Sequence, residues 1–374
     1  MFSPRSIQSN ITFAQKIFSL DYILILSILF LGIISMFAMY SSSTGQFDYY
    51  TKSHISRFSV FFVLFLVLSL VDLRLWYQSS YIFYLLILIL LVMVKYFGLS
   101  ASGSKRWLDL YFINLQPSEL MKIGIIIFLA RYYHRIPAHE VNTFKYLLLP
   151  IFVLLGPVVL VMTQPDLGTA LLIGVSGVLI VWLGGVRLKF FTYLTLLFIA
   201  TAPIAISFLK PYQKARILTF LNPDRDPLGA GYQIIQSKIA IGSGGIFGKG
   251  FLQGSQSYLD YLPEKHTDFI FTLFSEEFGF FGSMVVLLLY ALITWRVIKI
   301  GEETRSFFGK FYCYGFASAF FIYVVVNMGM VLGLLPIVGA PLPILSYGGS
   351  SMLAIMIGLG VVMSCKVYRD VPIN

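Results

Sequence analysis

Long apolar runs separated by short polar segments make up most of the chain. Ten runs approach or exceed the roughly 20 residues that an α-helix needs to cross a bilayer. One polar segment, residues 210–267, is much longer than the others and separates the seventh run from the eighth. The pattern predicts an all-α polytopic membrane protein, with residues 1–374 forming a single integral membrane domain of ten transmembrane helices and a large loop between helices 7 and 8. The predicted spans lie near residues 21–41, 57–72, 79–97, 118–133, 145–163, 167–184, 188–209, 268–296, 311–334 and 345–365.

Composition supports this membrane class and excludes a nucleic-acid partner. Hydrophobic residues make up 58% of the chain and charged residues only 12%, whereas soluble proteins are about half apolar and about a quarter charged. The formal net charge is +10. The Lys and Arg side chains are scattered between the apolar runs, however, and form no basic stripe of the kind that binds nucleic acid.

The distribution of Lys and Arg predicts the orientation of the spans. If both termini are cytoplasmic, 14 of the 27 basic residues fall in inner segments and six in short outer segments. The other seven lie in the segment 210–267, which is too long to count, because long segments cross the membrane largely regardless of charge. This asymmetry predicts cytoplasmic termini and an extracytoplasmic loop 210–267.

Two predicted helices start with similar sequences, QPSEL at 116–120 and QPDLG at 164–168. A proline followed by an acid suits the first turn of a helix, so Glu119 and Asp166 could serve only to start their helices. Glu119 also has Lys122 three residues further on, within reach on one helix face. Charges that enter the membrane are functional candidates, and the alternative for this pair is a buried structural ion pair.

The segment PEKHTD leads from the long loop into the eighth run and ends at Asp268. Asp268 could cap that helix, but Glu276 and Glu277 give the helix more acid than capping requires. A carboxylate at this position could act as a general base on a hydroxyl group. His266 is the rival base or a structural residue, and Glu264 is a candidate for contact with substrate.

Two glycine-rich stretches remain. GSGGIFGKG (242–250) lacks the pattern of a phosphate loop, because Ser243 stands where the first glycine should be and Gly250 follows Lys249. It is either a surface loop or a place where backbone amides and Lys249 meet an anion. GLLPIVGAPLPILSYGGSS (333–351) has too many prolines and glycines for a helix. Irregular backbone at membrane depth must be covered by protein or water, so this stretch is predicted to line a cavity.

Five long motifs together resemble the SEDS family of cell-wall polymerases. They occur in the family's order and cover most of residues 21–366. Two stretches that overlap these motifs, KGFLQGSQSYLDYLPEKHTDFIF and VGAPLPILSYGGSS, are more similar to the RodA members of that family than to the FtsW members. The five are RWLDLYFINLQPSELMK, TQPDLGTALL, LNPDRDPLGAGYQIIQSKIAIGSGGIFGKG, LPEKHTDFIFTLFSEEFG and LPIVGAPLPILSYGGSS.

This resemblance implies a ten-helix SEDS fold in the bacterial cytoplasmic (inner) membrane. It also implies a peptidoglycan glycosyltransferase that joins the disaccharides of lipid II into glycan strands during cell elongation and shape maintenance, releasing undecaprenyl pyrophosphate. The implied partners are a class B penicillin-binding protein and other proteins of the elongation complex. The family's catalytic aspartate corresponds to Asp268. Its site region corresponds to Arg106, Trp107, Glu119, Lys122 and Asp166.

The resulting hypothesis is that Asp268 accepts the proton of the attacking sugar hydroxyl. Positively charged groups must then stabilise the negative charge on the departing pyrophosphate. Candidates for these groups are Arg106, Lys122, Arg216 and Lys249, and a divalent cation such as Mg or Mn is a further candidate. Two alternatives stay open at this point, a flippase for a lipid-linked precursor and a non-catalytic scaffold of the wall-synthesis complex. Transport would need polar groups through the membrane depth, whereas most of these residues are predicted at one face.

Overall fold

The computed structural model describes residues 12–101, 104–109, 114–207, 211–222, 226, 229–255, 262 and 264–373. Helices account for most of these residues. The helices are α1 (Phe13–Phe18), α2 (Tyr22–Ser42), α3 (Tyr49–Ser69), α4 (Leu73–Phe97), α5 (Pro117–Arg135), α6 (Phe144–Thr163), α7 (Leu167–Leu183), α8 (Leu188–Ser207), α9 (Pro211–Leu221), α10 (Ala230–Ser243), α11 (Ile270–Glu303), α12 (Phe307–Val331) and α13 (Gly349–Val367).

A small antiparallel sheet between α4 and α5 was missed by the sequence prediction. Its strands are β1 (Leu99–Ala101), β2 (Ser104–Asp109) and β3 (Asn114–Leu115), in the order β1-β2-β3. In the register, Ser100 pairs with Lys105 and Leu108 pairs with Leu115. Strands this short carry almost no periodic signal, so the pattern of apolar runs could not reveal them.

Seven of the described helices are long and apolar enough to cross a membrane: α2, α3, α4, α6, α11, α12 and α13. The prediction of a predominantly helical, multi-pass membrane protein is therefore confirmed. The count of ten membrane crossings stays a prediction. It includes α7 and the apolar part of α8, which are shorter, and α5, which does not meet the same criterion.

Helix α5 lies at the centre of the bundle. It packs against α4, α6, α7, α12 and α13, so that most of its circumference meets protein rather than lipid. Fourteen of its 19 residues are buried. This enclosure explains how a helix at membrane depth can carry charged side chains, because charges there must face protein or water.

Helices α3 and α4 start earlier than the spans predicted near 57–72 and 79–97. An aspartate caps each start: the Asp48 side chain accepts a hydrogen bond from Thr51 N–H, and the Asp72 side chain accepts one from Arg74 N–H. The first turns of both helices contain polar residues and were therefore left out of the predicted apolar spans. The caps satisfy backbone donors that a helix start leaves free, and so extend both helices beyond their apolar cores.

Helix α11 is broken at Gly279, whose backbone angles (φ 64°, ψ −160°) are not helical. The loop 244–250 packs against this break and pairs with the backbone groups that the break leaves without helical partners. A Cβ atom at Gly279 would lie 2.3 Å from the backbone nitrogen of Gly248, so only glycine fits there. The four bonds run from Phe280 N–H to Gly245 O (2.9 Å), Phe281 N–H to Ile246 O (3.0 Å), Lys249 N–H to Glu276 O (3.0 Å) and Gly250 N–H to Glu277 O (3.0 Å).

Residues 332–348 between α12 and α13 are not helical, as the prolines and glycines of this stretch predict. Ile337, Gly339, Pro341, Tyr347 and Gly348 of this segment face a large cavity. The prediction that the broken segment lines a cavity is therefore confirmed.

Candidate functional site

The cavity has a volume of about 1050 Å³ and lies where the polar ends of several elements meet. Strand β2, the starts of α5 and α7, α9, the turn before α11 and the segment 332–348 all contribute to its wall. Seven of the ten residues predicted for the site line it. They are Arg106, Trp107, Glu119, Asp166, Arg216, Glu264 and Asp268.

Asp268 lies in the turn formed by residues 264–269, immediately before α11. The turn is closed by bonds from Thr267 N–H (3.2 Å) and Phe269 N–H (3.3 Å) to the carbonyl of Glu264. Phe269, and not Asp268, is the N-cap residue of α11. Asp268 therefore does not cap the helix, and its carboxylate is left to face the cavity.

Burial raises the pKa of the Asp268 carboxyl from its usual 3.8 to about 7. The charge of Glu264 raises the pKa further, and Asp166 acts in the same direction, whereas Arg216 and Arg106 lower it. The side chain touches the cavity but lies deep within the protein, where the ionised form is poorly solvated. A carboxyl group with a pKa near neutrality can both accept and release a proton at physiological pH.

Arg106 of strand β2 and Asp166 at the start of α7 lie side by side in the cavity wall. Asp166 caps α7 by accepting Thr169 N–H at 3.1 Å, and the hydroxyl of Thr169 donates to the same carboxylate at 2.9 Å. The side-chain amide of Gln116 donates to it at 3.3 Å. Arg106 donates to the carbonyl of Pro165 at 2.7 Å and lies 3.7 Å from Asp166. These contacts hold an arginine and an acid rigidly at one side of the cavity.

Two further guanidinium groups reach the cavity. Arg216 of α9 donates to the carbonyl of Ile337 at 3.2 Å. Arg57 of α3 stacks on the ring of Tyr347, with 4.9 Å between its guanidinium carbon and the ring centroid. In the described part of the chain neither arginine has a carboxylate within 4 Å. Both can therefore meet an anionic group on a ligand.

Glu119 and Lys122 form the buried ion pair that their spacing predicts. Lys122 Nζ lies 2.9 Å from Glu119 Oε2 and 3.9 Å from the ring centroid of Tyr323, whose hydroxyl donates to the same carboxylate at 3.2 Å. Glu119 lines the large cavity, whereas Lys122 lines a small one of about 20 Å³ beside it. The pair thus forms the floor of the site, and only its acid faces the main cavity.

The other two predicted residues do not line the cavity. Lys249 Nζ lies 2.6 Å from the carboxylate of Glu276 and donates to the hydroxyl of Ser255 at 2.9 Å. Its charge neutralises the carboxylate of Glu276, which is completely buried. Lys249 is therefore part of the docked loop at the break in α11, and the loop is packed rather than flexible. His266 stacks on Tyr50 with ring centroids 4.5 Å apart, and its Nδ1 lies 2.9 Å from the hydroxyl of Ser42.

In the described ranges no group of three His, Cys, Asp or Glu side chains is arranged to hold a metal ion. The carboxylates of Glu264 and Asp268 face the cavity from the turn 264–269, and that of Asp166 faces it from the start of α7. The divalent cation named as a candidate for the charge on the pyrophosphate stays a hypothesis.

The sequence profile of the FtsW/RodA/SpoVE family, described as cell cycle proteins, matches residues 17–370. The chain belongs to this family. Its resemblance to SEDS proteins, inferred from the five motifs, is thus confirmed. The family also accounts for the arrangement of the helices, because solved structures of its members superpose on nearly the whole chain.

Two relatives illustrate the similarity in sequence. The chain is 41% identical over 361 residues to "Peptidoglycan glycosyltransferase MrdB" of Escherichia coli K12, and the match covers 96% of each protein. It is 33% identical over 358 residues to "Stage V sporulation protein E" of Bacillus subtilis strain 168, covering 93% of this chain and 97% of the relative.

Two solved structures illustrate the similarity in fold. One is a chain from a study described as "Structural coordination of polymerization and crosslinking by a peptidoglycan synthase complex". It matches with a TM-score of 0.82 at 30% identity, over 94% of this chain and 99% of that one. The other is the rod shape determining protein RodA of Thermus thermophilus, with a TM-score of 0.70 at 25% identity, over 94% and 97% of the two chains.

The structure of this family member adds residues that sequence reasoning missed. Arg57 and Tyr347 line the cavity, Tyr323 completes the Glu119 site, and Asn327 bonds the backbone of Asp268 at 3.1 Å. Asn327 could have been predicted from the sequence, because a lone amide within a long apolar run indicates a polar contact inside the protein. Arg57 carried a weaker one, since it stands at the edge of its predicted span.

Proposed function

We propose that this chain is a peptidoglycan glycosyltransferase that polymerises lipid II into glycan strands during cell elongation and releases undecaprenyl pyrophosphate. The single observation that carries the proposal is the carboxyl group of Asp268, poised near neutral pKa in a large cavity that also holds arginines. The names of two relatives, "Peptidoglycan glycosyltransferase MrdB" and "Probable peptidoglycan glycosyltransferase FtsW", support the same reaction.

In this mechanism Asp268 acts as the general base. The 4-hydroxyl oxygen of the acceptor sugar attacks the anomeric carbon of the donor, and its proton passes to the Asp268 carboxylate. The bond between the anomeric carbon and the pyrophosphate oxygen breaks, and the bonding electrons leave with undecaprenyl pyrophosphate. The ionised carboxylate is needed for this step, so activity should rise as Asp268 loses its proton.

Arg106 and Arg216 supply positive charge for the departing pyrophosphate. Both lie close enough to Asp268 to lower its pKa, so both act on the charge around the reacting groups. Contacts to backbone carbonyls fix them in advance, and fixed donors stabilise developing negative charge without reorganising during the reaction. Trp107 and Glu264 line the same space and are assigned contacts with the sugars.

The floor of the cavity favours a polymerase over a flippase. Below the Glu119–Lys122 pair, the described residues around the small cavity are mainly apolar, among them Ile123, Leu172 and Phe320. A space of about 20 Å³ holds about one water molecule and cannot pass a disaccharide. In the described part of the chain the polar groups of the site lie at one end of the bundle, as a surface reaction requires.

The proposal includes an orientation and a partner. The chain lies in the bacterial inner membrane as one membrane domain, with both termini in the cytoplasm and segment 210–267 on the outer side, where the cavity receives lipid II. Membrane lipid surrounds the bundle. A class B penicillin-binding protein crosslinks the product, and other elongation proteins join this pair. The match to a chain from a peptidoglycan synthase complex supports such an assembly.

The test is polymer formation from lipid II by the purified chain bound to its cognate class B penicillin-binding protein. Wild type is compared with Asp268→Asn, which keeps the volume and removes the base, and with Asp370→Asn, an exposed aspartate near the C-terminus. We expect polymer from wild type and Asp370→Asn, and none from Asp268→Asn although the complex still forms. Polymer from Asp268→Asn at the wild-type rate contradicts the general base. No polymer from any of the three, with the complex intact, favours the scaffold or flippase.

A further inference from the structure

Asn327 lies in the last two turns of α12 (Phe307–Val331) and is completely buried. Its side-chain nitrogen donates two hydrogen bonds, one to the carbonyl of Asp268 at 3.1 Å and one to the carbonyl of Ala340 at 2.6 Å. The three residues are brought together only by the fold, because Asp268 precedes Asn327 by 59 positions. A buried amide in an apolar helix is costly unless it makes hydrogen bonds, so these contacts are the reason for its presence.

The orientation of the amide is fixed by its partners. Both partners are carbonyl oxygens, which only accept hydrogen bonds, so the nitrogen and not the oxygen of the amide must face them. The remaining atom, Asn327 Oδ1, is buried and has no hydrogen-bond partner among the described residues. The amide nitrogen of Asn327 thus donates to two carbonyls, while the amide oxygen accepts no hydrogen bond from the described residues. The hydrogen bonds that the side chain contributes are therefore those of its nitrogen.

The two carbonyls belong to the two irregular segments that form the wall around the reacting carboxylate. Asp268 lies in the turn 264–269 and Ala340 in the segment 332–348. At the junction, a Cβ atom on Gly339 would lie 3.6 Å from Asp268 Oδ2, so the carboxylate rests directly against this segment. Neither segment is held by helical hydrogen bonds here. The amide of Asn327 therefore links the base to the wall beside it.

We infer that Asn327 is a positioning residue for glycan polymerisation: it sets the place of the Asp268 carboxylate against the segment 332–348 without touching substrate. The inference rests on the proposed function, because it concerns the base of that reaction. Its physical basis is that a general base must lie within hydrogen-bonding distance of the proton it accepts. A displacement of about 1 Å can lower the rate on the order of 100-fold.

Ser237 of α10 offers a matched control. Like Asn327 it is completely buried, and its hydroxyl bonds two partners in neighbouring helices, the carbonyl of Val331 at 2.7 Å and the hydroxyl of Thr272 at 2.8 Å. It joins α10 to α11, which follows Asp268, and to α12, which carries Asn327, and it contacts neither Asp268 nor Ala340. A change at Ser237 therefore removes buried hydrogen bonds from the same region without releasing the base.

The experiment compares Asn327→Leu, Asn327→Ser and Ser237→Ala in the intact complex with the penicillin-binding protein. Leucine keeps the branching at Cγ, with larger methyl groups in place of the amide atoms, but donates no hydrogen bond, and serine can serve at most one of the two carbonyls. Initial rates of lipid II polymerisation give kcat and KM for each assembled complex. We expect Asn327→Leu to lower kcat on the order of 10- to 100-fold with KM unchanged, Asn327→Ser to lower it less, and Ser237→Ala to keep it within about threefold of wild type.

Two results overturn the inference. One is a kcat for the Asn327 variants within about threefold of that of Ser237→Ala. The other is a loss carried by KM instead of kcat. If Asn327→Leu does not assemble, the serine variant decides by the same criteria. Wild type itself serves as the separate check on the proposed function, because an intact wild-type complex without polymer contradicts the reaction and not the role of Asn327.

Discussion

The raised pKa of Asp268 makes a prediction about stability that does not depend on an activity assay. The perturbation is Asp268→Asn, which replaces a titratable side chain by a neutral one of the same size. Burial, aided by the charge of Glu264, raises the pKa of the carboxyl in the folded protein from 3.8 to about 7. The folded protein therefore holds this proton more tightly than the unfolded chain does.

The magnitude follows from the linkage between proton binding and folding. Below pH 3.8 the Asp268 carboxyl is protonated in both states and adds no pH dependence. Between pH 3.8 and about 7 only the unfolded chain ionises, so stability falls by about 1.4 kcal/mol for each pH unit gained. Above pH 7 the loss levels off, at an upper limit of about 4 kcal/mol. Access to the cavity screens the charge and makes the real loss smaller.

The assay is thermal unfolding of the purified protein in detergent at pH 5 and pH 9. Asparagine cannot ionise, so the free energy of unfolding of Asp268→Asn does not show this decrease with pH. Its stability relative to wild type should rise by up to about 3 kcal/mol between these pH values, which corresponds to a few degrees in Tm. Asp370→Asn, at an exposed position, should show no such gain. An equal difference in Tm between Asp268→Asn and wild type at both pH values would refute the raised pKa.

Two further predictions concern the charges around the base. Glu264→Gln removes a charge that raises the pKa of Asp268, so the acid limb of the pH–kcat profile should move to lower pH; an unmoved limb contradicts this coupling. Glu119→Gln leaves the Lys122 ammonium buried without its acid and should lower the free energy of unfolding by about 3–5 kcal/mol. The double variant with Lys122→Met should regain most of this stability in thermal unfolding, and a double variant as unstable as the single one contradicts the ion-pair explanation.

Much of the site could be predicted from sequence because its signals are local. Each acid predicted at a helix start, Glu119, Asp166 and Asp268, faces the cavity, and the segment 332–348 lines it as its prolines and glycines indicate. Lys249 shows where such reasoning fails. A lysine in a glycine-rich loop favours the binding of an anionic ligand, but Lys249 instead pairs with the carboxylate of Glu276 at 2.6 Å.

The amino-acid sequence was sufficient to predict a multi-pass helical membrane protein, the places of its long apolar helices and the acids that line the cavity. These properties depend on the transfer of each run from water to lipid and on the turn chemistry of neighbouring residues, and both are local. The ion pair of Lys249 with Glu276, the position of Arg57 at the cavity and the hydrogen bond from Asn327 to the Asp268 backbone become visible only in the folded chain. Such contacts join residues far apart in the chain, and the packing of helices, which no single segment encodes, brings them together.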